Sequence, residues 1–174
     1  MTRLMVLGLL TYRPMSGYEM QQMLQQSQTD KWAGILPGSI YHSLKTMTAD
    51  GLVEIDAVEH TGHRAKAIYK ITDKGREQFF ELLKSSLVEP SVAYPTTLYT
   101  AISFLELLPK EVILESINVQ EKALREQYEE MKRGEEQKAA HTSLPAHIRL
   151  VFQNMYDQFE IQLRFLQKLR ELYE

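Results

Sequence analysis

Residues 38–51 read Gly38-Ser39-Ile40-Tyr41-His42-Ser43-Leu44-Lys45-Thr46-Met47-Thr48-Ala49-Asp50-Gly51, and they specify a short helix with two unlike sides. At 100° per residue Ile40, Leu44 and Met47 fall on one face, which reads as buried. Tyr41, His42, Lys45 and Thr46 lie on the other side. The turn Gly34-Ile35-Leu36-Pro37-Gly38 precedes the segment, Ser39 reads as its N-cap, and Asp50-Gly51 ends it after Ala49. An outward side that carries a phenol, an imidazole, an amine and hydroxyls offers the groups that meet base edges and phosphates.

Downstream, Val53, Ile55 and Ala57 alternate with Glu54, Asp56 and Val58, the period of a half-buried strand. Ala67, Tyr69 and Ile71 alternate with Lys66, Ile68 and Lys70 as its partner, and the polar segment from Glu59 to Ala65 is the hairpin connection. Thr72 or Asp73 caps a further helix whose apolar residues are Phe79, Phe80, Leu83 and Leu87. Upstream, Leu4, Val6, Leu7, Leu9 and Leu10 form an apolar helix that stops before Pro14. Ser16 and Glu19 make a capping box for a second helix, with Tyr18, Met20, Met23 and Leu24 on its buried side, fading near Ser27. The order is helix, helix, helix, strand, strand, helix. That is a winged helix-turn-helix, in which the third helix would enter a major groove and the hairpin would lie over the flanking backbone.

The chain has 174 residues, room for one domain or for a small domain with an extension. Its net charge of −3 excludes a wholly basic nucleic-acid coat, so a polyanion would have to be met by local charge. Residues 31–76 supply it, with seven Lys and Arg against five Asp and Glu. The absence of cysteine removes disulfides, thiolate metal sites and a cysteine nucleophile. With no signal-peptide pattern and no apolar run near the roughly 18 residues of a membrane span, the sequence predicts a soluble, cytoplasmic protein with no membrane partner. No phosphate loop, nucleophile elbow or paired metal motif is present, so an enzyme is not expected, nor a cofactor. His60 and His63 are three residues apart, but no Cys and only Glu59 accompany them, so no metal site is assigned.

Four blocks in order, Gly17-Tyr18-Glu19, Gly38-Ser39-Ile40-Tyr41-His42-Ser43-Leu44, Asp50-Gly51-Leu52 and Tyr69-Lys70-Ile71-Thr72-Asp73-Lys74-Gly75, resemble the PadR family of bacterial transcriptional regulators. The resemblance implies a homodimeric repressor or activator that binds double-stranded DNA at an inverted repeat and is often released by a small-molecule effector. It places DNA contacts at Ser39, Tyr41, His42 and Lys45 on the helix, and at His63, Arg64 and Lys66 in the wing. The wing departs from the family pattern: Gly62-His63-Arg64-Ala65-Lys66 stands where Gly-Arg-Pro-Arg is common.

The second half of the chain differs in character. Residues 81–174 hold one of the eight glycines and eleven basic against fifteen acidic residues, and their periodicity is mostly helical. Leu98, Ala101, Ile102, Leu105 and Leu108 are helically spaced before Pro109. Ile113, Ile117, Leu124, Tyr128 and Met131 follow from about Lys110 toward a turn within Gly134–Pro145. Ile148, Phe152, Met155, Phe159, Leu163 and Leu166 then step by three or four, a stripe that needs a partner, and a second copy of the chain is the economical one.

The expected architecture is mainly α with a small β-hairpin: a winged helix-turn-helix DNA-binding domain over residues 1–88 and a helical dimerisation and effector domain over 89–174, a likeness to the family branch with the longer C-terminal domain. The expected function is a dimeric, sequence-specific regulator, with repression by occluding a promoter. The alternative is a winged-helix protein-interaction module that does not touch DNA.

Overall fold

A computed structural model describes residues 1–27, 29–61, 64–141 and 143–174, with the side chains of Thr61, Arg64 and His141 left aside. The chain forms two compact units, residues 1–91 and 92–174.

In the first unit, helices α1 (Thr2–Tyr12), α2 (Gly17–Gln26), α3 (Thr29–Trp32) and α4 (Pro37–Ala49) precede strands β1 (Val53–Thr61) and β2 (Arg64–Ile71), and α5 (Asp73–Val88) closes the module. The strands form an antiparallel hairpin. This is the winged helix-turn-helix read from the sequence. Its core joins Val6, Leu7 and Leu10 of α1, Met20 and Leu24 of α2, Ile40, Leu44 and Met47 of α4, and Val53 and Ile71 of the hairpin base. The apolar stripe of α4 is therefore buried as its spacing requires.

Both local caps at the ends of the module are built as read. Ser16 accepts from the Glu19 N–H while the Glu19 carboxylate accepts from the Ser16 N–H, completing the capping box of α2. Thr72 caps α5 by accepting from the Gly75 N–H at 3.0 Å, and its hydroxyl also donates to the Gly51 carbonyl at 2.8 Å. Gly51 itself has φ +71, the left-handed conformation that glycine enters without a Cβ penalty. Gly75 is required for a different reason. A Cβ there would lie 2.0 Å from the Leu52 carbonyl oxygen, so α5 can approach the start of the hairpin only because position 75 has no side chain.

Several local expectations are corrected. Four residues, Thr29–Trp32, form α3, too short to leave a periodic signal. Pro37 occupies the first turn of α4 and Leu36 is its N-cap, so Ser39 lies inside the helix and its hydroxyl donates to the Leu36 carbonyl instead of capping. On α2, Tyr18 and Met23 are exposed, and the buried side is Gly17, Met20 and Leu24.

On α5, Phe79 and Leu82 pack against the core, while Phe80, Leu83 and Leu87 face outward. The hairpin is longer than expected, and a bulge at Asp56 breaks its alternation between Ile55 and Ala57. Among the described side chains of β1 only Val53 is buried. Ile55 is 52% exposed, although its partner Tyr69 packs against the core and Ile68, one position nearer the tip, is buried.

The second unit contains α6 (Thr96–Ile102), a 3-10 turn at Leu105–Leu107, α7 (Lys110–His141) and α8 (Ala146–Glu171). Helix α7 runs through Gly134, which is buried, and ends at His141, so the break before α8 falls within the expected interval Gly134–Pro145; a helix interior tolerates one glycine at about 1 kcal/mol. Ile113 and Ile117 pack with Leu166 and Leu169, with Leu98, Ile102 and Leu105 alongside. Toward the other end, Tyr128 stacks on Phe159 at 5.5 Å between ring centroids and donates to Glu160 at 3.0 Å, and Tyr156 donates to Glu135. Arg170 bridges the two long helices through Glu121 at 2.6 Å and Asn118 at 2.5 Å. No helix among the described residues is long and apolar enough to cross a membrane.

Candidate nucleic-acid interface

Helix α4 presents to solvent the residues that the sequence set opposite its core stripe. His42, Lys45 and Thr46 are exposed, Tyr41 is half exposed and Ser39 is partly covered. Thr46 returns its hydroxyl to the His42 carbonyl, so the hydrogen-bonding groups left to project from this face are the Tyr41 phenol, the His42 imidazole and the Lys45 amine. Three buried residues on the opposite face, Ile40, Leu44 and Met47, fix the rotation of the helix about its axis. The outward face is therefore set by the core and not by its own interactions.

Tyr41 has a second role. A Cβ on Gly17 would stand 2.8 Å from Tyr41 Cε1 and 3.1 Å from Leu44 Cδ1, so the absence of a side chain at position 17 lets α4 lie against the N-terminus of α2. The bare backbone of Gly17 thus seats the ring of Tyr41 while half of that residue stays in solvent. Sequence reasoning singled out Tyr41 and missed this contact. Its signal was the glycine at the start of the Gly17-Tyr18-Glu19 block.

The wing is laid out differently. Lys66 Nζ lies 3.2 Å from Glu19 Oε2 and 3.4 Å from Glu59 Oε2, and Lys70 Nζ lies 3.2 Å from Glu54 and 3.0 Å from Asp56. Both ammonium groups are consequently held above their ordinary range, Lys66 mainly by Glu19 and Lys70 mainly by Asp56. Acids on β1 thus neutralise the lysines of β2. They also place charge along an edge strand, where it discourages pairing with another chain.

Glu19 is the most perturbed carboxylate of the module, held down to about 2. The largest cause is the hydrogen bond from the Ser16 N–H, partial burial opposes it, and the Ser16 hydroxyl and Lys66 add to the lowering. Of the remaining wing positions, His63 lies outside the described residues. Arg64 begins β2, and its backbone alone is described.

Phe152 and Leu166 of the C-terminal stripe are buried within the chain, and Ile148, Met155, Phe159 and Leu163 are half-buried. A 32-residue α7 supplies much of the cover that the sequence argument sought in a second copy. Large apolar residues nevertheless remain in solvent on this unit, among them Val119, Leu150 at 70% and Ile161 at 51% exposure. No cluster of three potential metal ligands occurs among the described residues.

A winged helix-turn-helix whose third long helix turns a polar face outward, followed by a helical unit, defines a class of transcriptional regulators. Residues 6–81 match the model of the transcriptional regulator PadR-like family. No curated protein matches the sequence.

Among solved structures, Bacillus subtilis PadR in complex with operator DNA aligns with TM-score 0.77 at 18% identity, over 99% of this chain and 97% of that one. The same protein in complex with p-coumaric acid aligns with TM-score 0.74 at 18% identity, over 98% and 97%. The Vibrio cholerae virulence activator AphA aligns with TM-score 0.70 at 16% identity, over 98% and 96%. At these identities the likeness is one of fold.

Proposed function

We propose that this protein is a sequence-specific DNA-binding transcriptional regulator that works in the cytoplasm as a homodimer on an inverted-repeat operator and represses by occupying a promoter. The observation that carries the reading is the free face of α4, where Tyr41, His42 and Lys45 project from a helix whose opposite face is locked in the core. Such a helix can enter a major groove while neighbouring backbone and wing groups fix its register on the phosphates.

Ser39, Tyr41, His42 and Lys45 are assigned to the groove, and His63, Arg64 and Lys66 to the wing side of the interface. The division of labour is residues 1–88 for DNA and 89–174 for dimerisation, with Ile148, Phe152, Met155, Phe159, Leu163 and Leu166 in or beneath the seam. Apolar side chains left exposed on α7 and α8 support a partner for this unit. The p-coumaric acid bound by the Bacillus subtilis protein supports a small-molecule effector here as well, one that binds the released state more tightly than the DNA-bound state.

The test is selection of random duplex DNA by the purified protein at modest salt, with sequencing of what stays bound. An enriched inverted repeat with half-sites about one helical turn apart is expected. If a dimer neutralises on the order of 6 phosphates, affinity falls with salt with a log–log slope of roughly −5. The acids that occupy Lys66 and Lys70 favour a second reading, a protein-interaction module with a neutralised wing. Recovery of no enriched sequence would support it.

A further inference from the structure

We propose that Glu19 is a positioning residue for the wing: through Lys66 it holds the distal hairpin to the N-terminus of α2, and so fixes where the wing falls relative to α4.

The hairpin is attached to the segment before α2 at two points. The first is a backbone bridge, in which Met15 N–H donates to the Tyr69 carbonyl and Tyr69 N–H to the Met15 carbonyl, both at 3.0 Å. The second is the Glu19–Lys66 ion pair at 3.2 Å. Lys66 lies three residues nearer the tip than Tyr69, about 10 Å along an extended strand.

Between the two points the opposite strand carries the bulge at Asp56, where a two-stranded ribbon bends and twists. Beyond the bulge Ile68 is buried, but Ala65 and residues 57–60 of β1 are exposed, so backbone attachment at Tyr69 alone leaves the end of the ribbon weakly held. The second attachment lies on the far side of it.

Glu19 is suited to be the fixed end of that attachment. Its Oε2 accepts from the Ser16 N–H at 2.9 Å and the Ser16 hydroxyl at 2.8 Å, and its Oε1 receives Arg13 at 3.4 Å. The carboxylate cannot follow Lys66 without undoing the cap of α2, whereas Lys66 sits on a flexible stem. Helix α2 is in turn seated on α4 through the contact of Gly17 with Tyr41 and Leu44. One continuous path therefore runs from the wing through Lys66, Glu19 and the first turn of α2 to the outward face of α4. In this arrangement the part of Lys66 in the interface proposed above is to set the geometry of the wing, with direct phosphate contact left to the other wing positions.

The consequence for DNA rests on the DNA-binding reading above, but the clamp does not, and the test separates them. Glu19→Gln keeps an acceptor for the capping box and removes the charge, and Lys66→Met removes the amine. In the free full-length protein, hydrogen exchange of the β2 amides from Arg64 to Ile68 should rise about 2–5-fold in either variant, with α2 unchanged and Lys66→Arg behaving as wild type, the scale of one exposed ion pair. On the selected operator, both single variants and the double variant should lose affinity by a similar 2–5-fold, with weakened protection of flanking base pairs and an unchanged salt slope.

Unchanged β2 exchange in Glu19→Gln would overturn the clamp. So would a salt slope smaller by about 1 in Lys66→Met alone, the signature of a direct phosphate contact. Failure of the wild-type protein to select any duplex would overturn the DNA reading and leave the exchange result to decide the clamp.

Discussion

The two units solve the problem of burying their apolar surface in opposite ways. Among the described residues, 1–91 close a core of fourteen buried side chains contributed by three of the five helices, the connections at Met15, Ala33, Ile35 and Leu52, and the hairpin, whereas 92–174 gather a cluster of four, Ile113, Ile117, Leu166 and Leu169. The first unit can spare a polar face on α4 because its interior is complete. The second leaves leucine, isoleucine and valine in water along two long helices, which is the condition of a surface awaiting cover. Under the proposed function, one unit presents a face to DNA and the other is completed by association.

Breaking the first unit should have the largest effect. Gly75→Ala would place a Cβ against the Leu52 carbonyl oxygen, a backbone atom that cannot turn aside, and the expected cost is on the order of 4 kcal/mol in denaturant unfolding of this unit. A variant with wild-type stability would show that α5 and the hairpin base are not so tightly joined.

In the second unit, Leu166→Ala removes a fully buried side chain and should cost about 3 kcal/mol, while Ile161→Glu on the exposed face should change monomer stability by less than about 0.5 kcal/mol. Sedimentation then sharpens the contrast. Ile161→Glu is expected to dissociate the proposed dimer, and an unaltered oligomer would move the seam elsewhere.

A smaller effect distinguishes the units by pH. The folded state depresses the Glu19 carboxyl from an ordinary value of 4.5 to about 2, so its contribution is complete above about pH 4.5 and disappears as pH falls through 2. About 1 kcal/mol of first-unit stability should be lost across that window, the scale of a helix cap attached to a partly solvated pair. Glu19→Gln should flatten that part of the profile, and equal pH slopes in the two proteins would reject the assignment.

What was legible in the sequence follows the range of the interactions concerned. Ser16 with Glu19, Thr72 before Gly75, and the stripe Ile40, Leu44 and Met47 are set by neighbours three or four positions apart, and each stands in the structure as read. Ser39 was misplaced because proline at position 37 starts the helix earlier. The turn expected within Gly134–Pro145 lies at the end of that interval, because α7 continues through Gly134 to His141.

Ile55 was read into the alternation of a half-buried strand, and Phe79, Phe80, Leu83 and Leu87 as the apolar residues of a helix, of which only Phe79 packs against the core. Periodicity fixes a shared face but not whether another element reaches it. The site shows the same division. The outward side of α4 is a local property of its sequence, whereas the capture of Lys66 by Glu19 joins residues 47 positions apart and had no signal beyond the charges themselves.

The central claim is that the outward face of α4 reads DNA. Its most direct test is the affinity of wild type and Lys45→Ala for the duplex selected by the wild-type protein, measured at several salt concentrations alongside their unfolding midpoints. The account predicts a loss of about 1–3 kcal/mol with relaxed preference at one position of each half-site and no change in stability. Equal affinity and an identical selected sequence would contradict it.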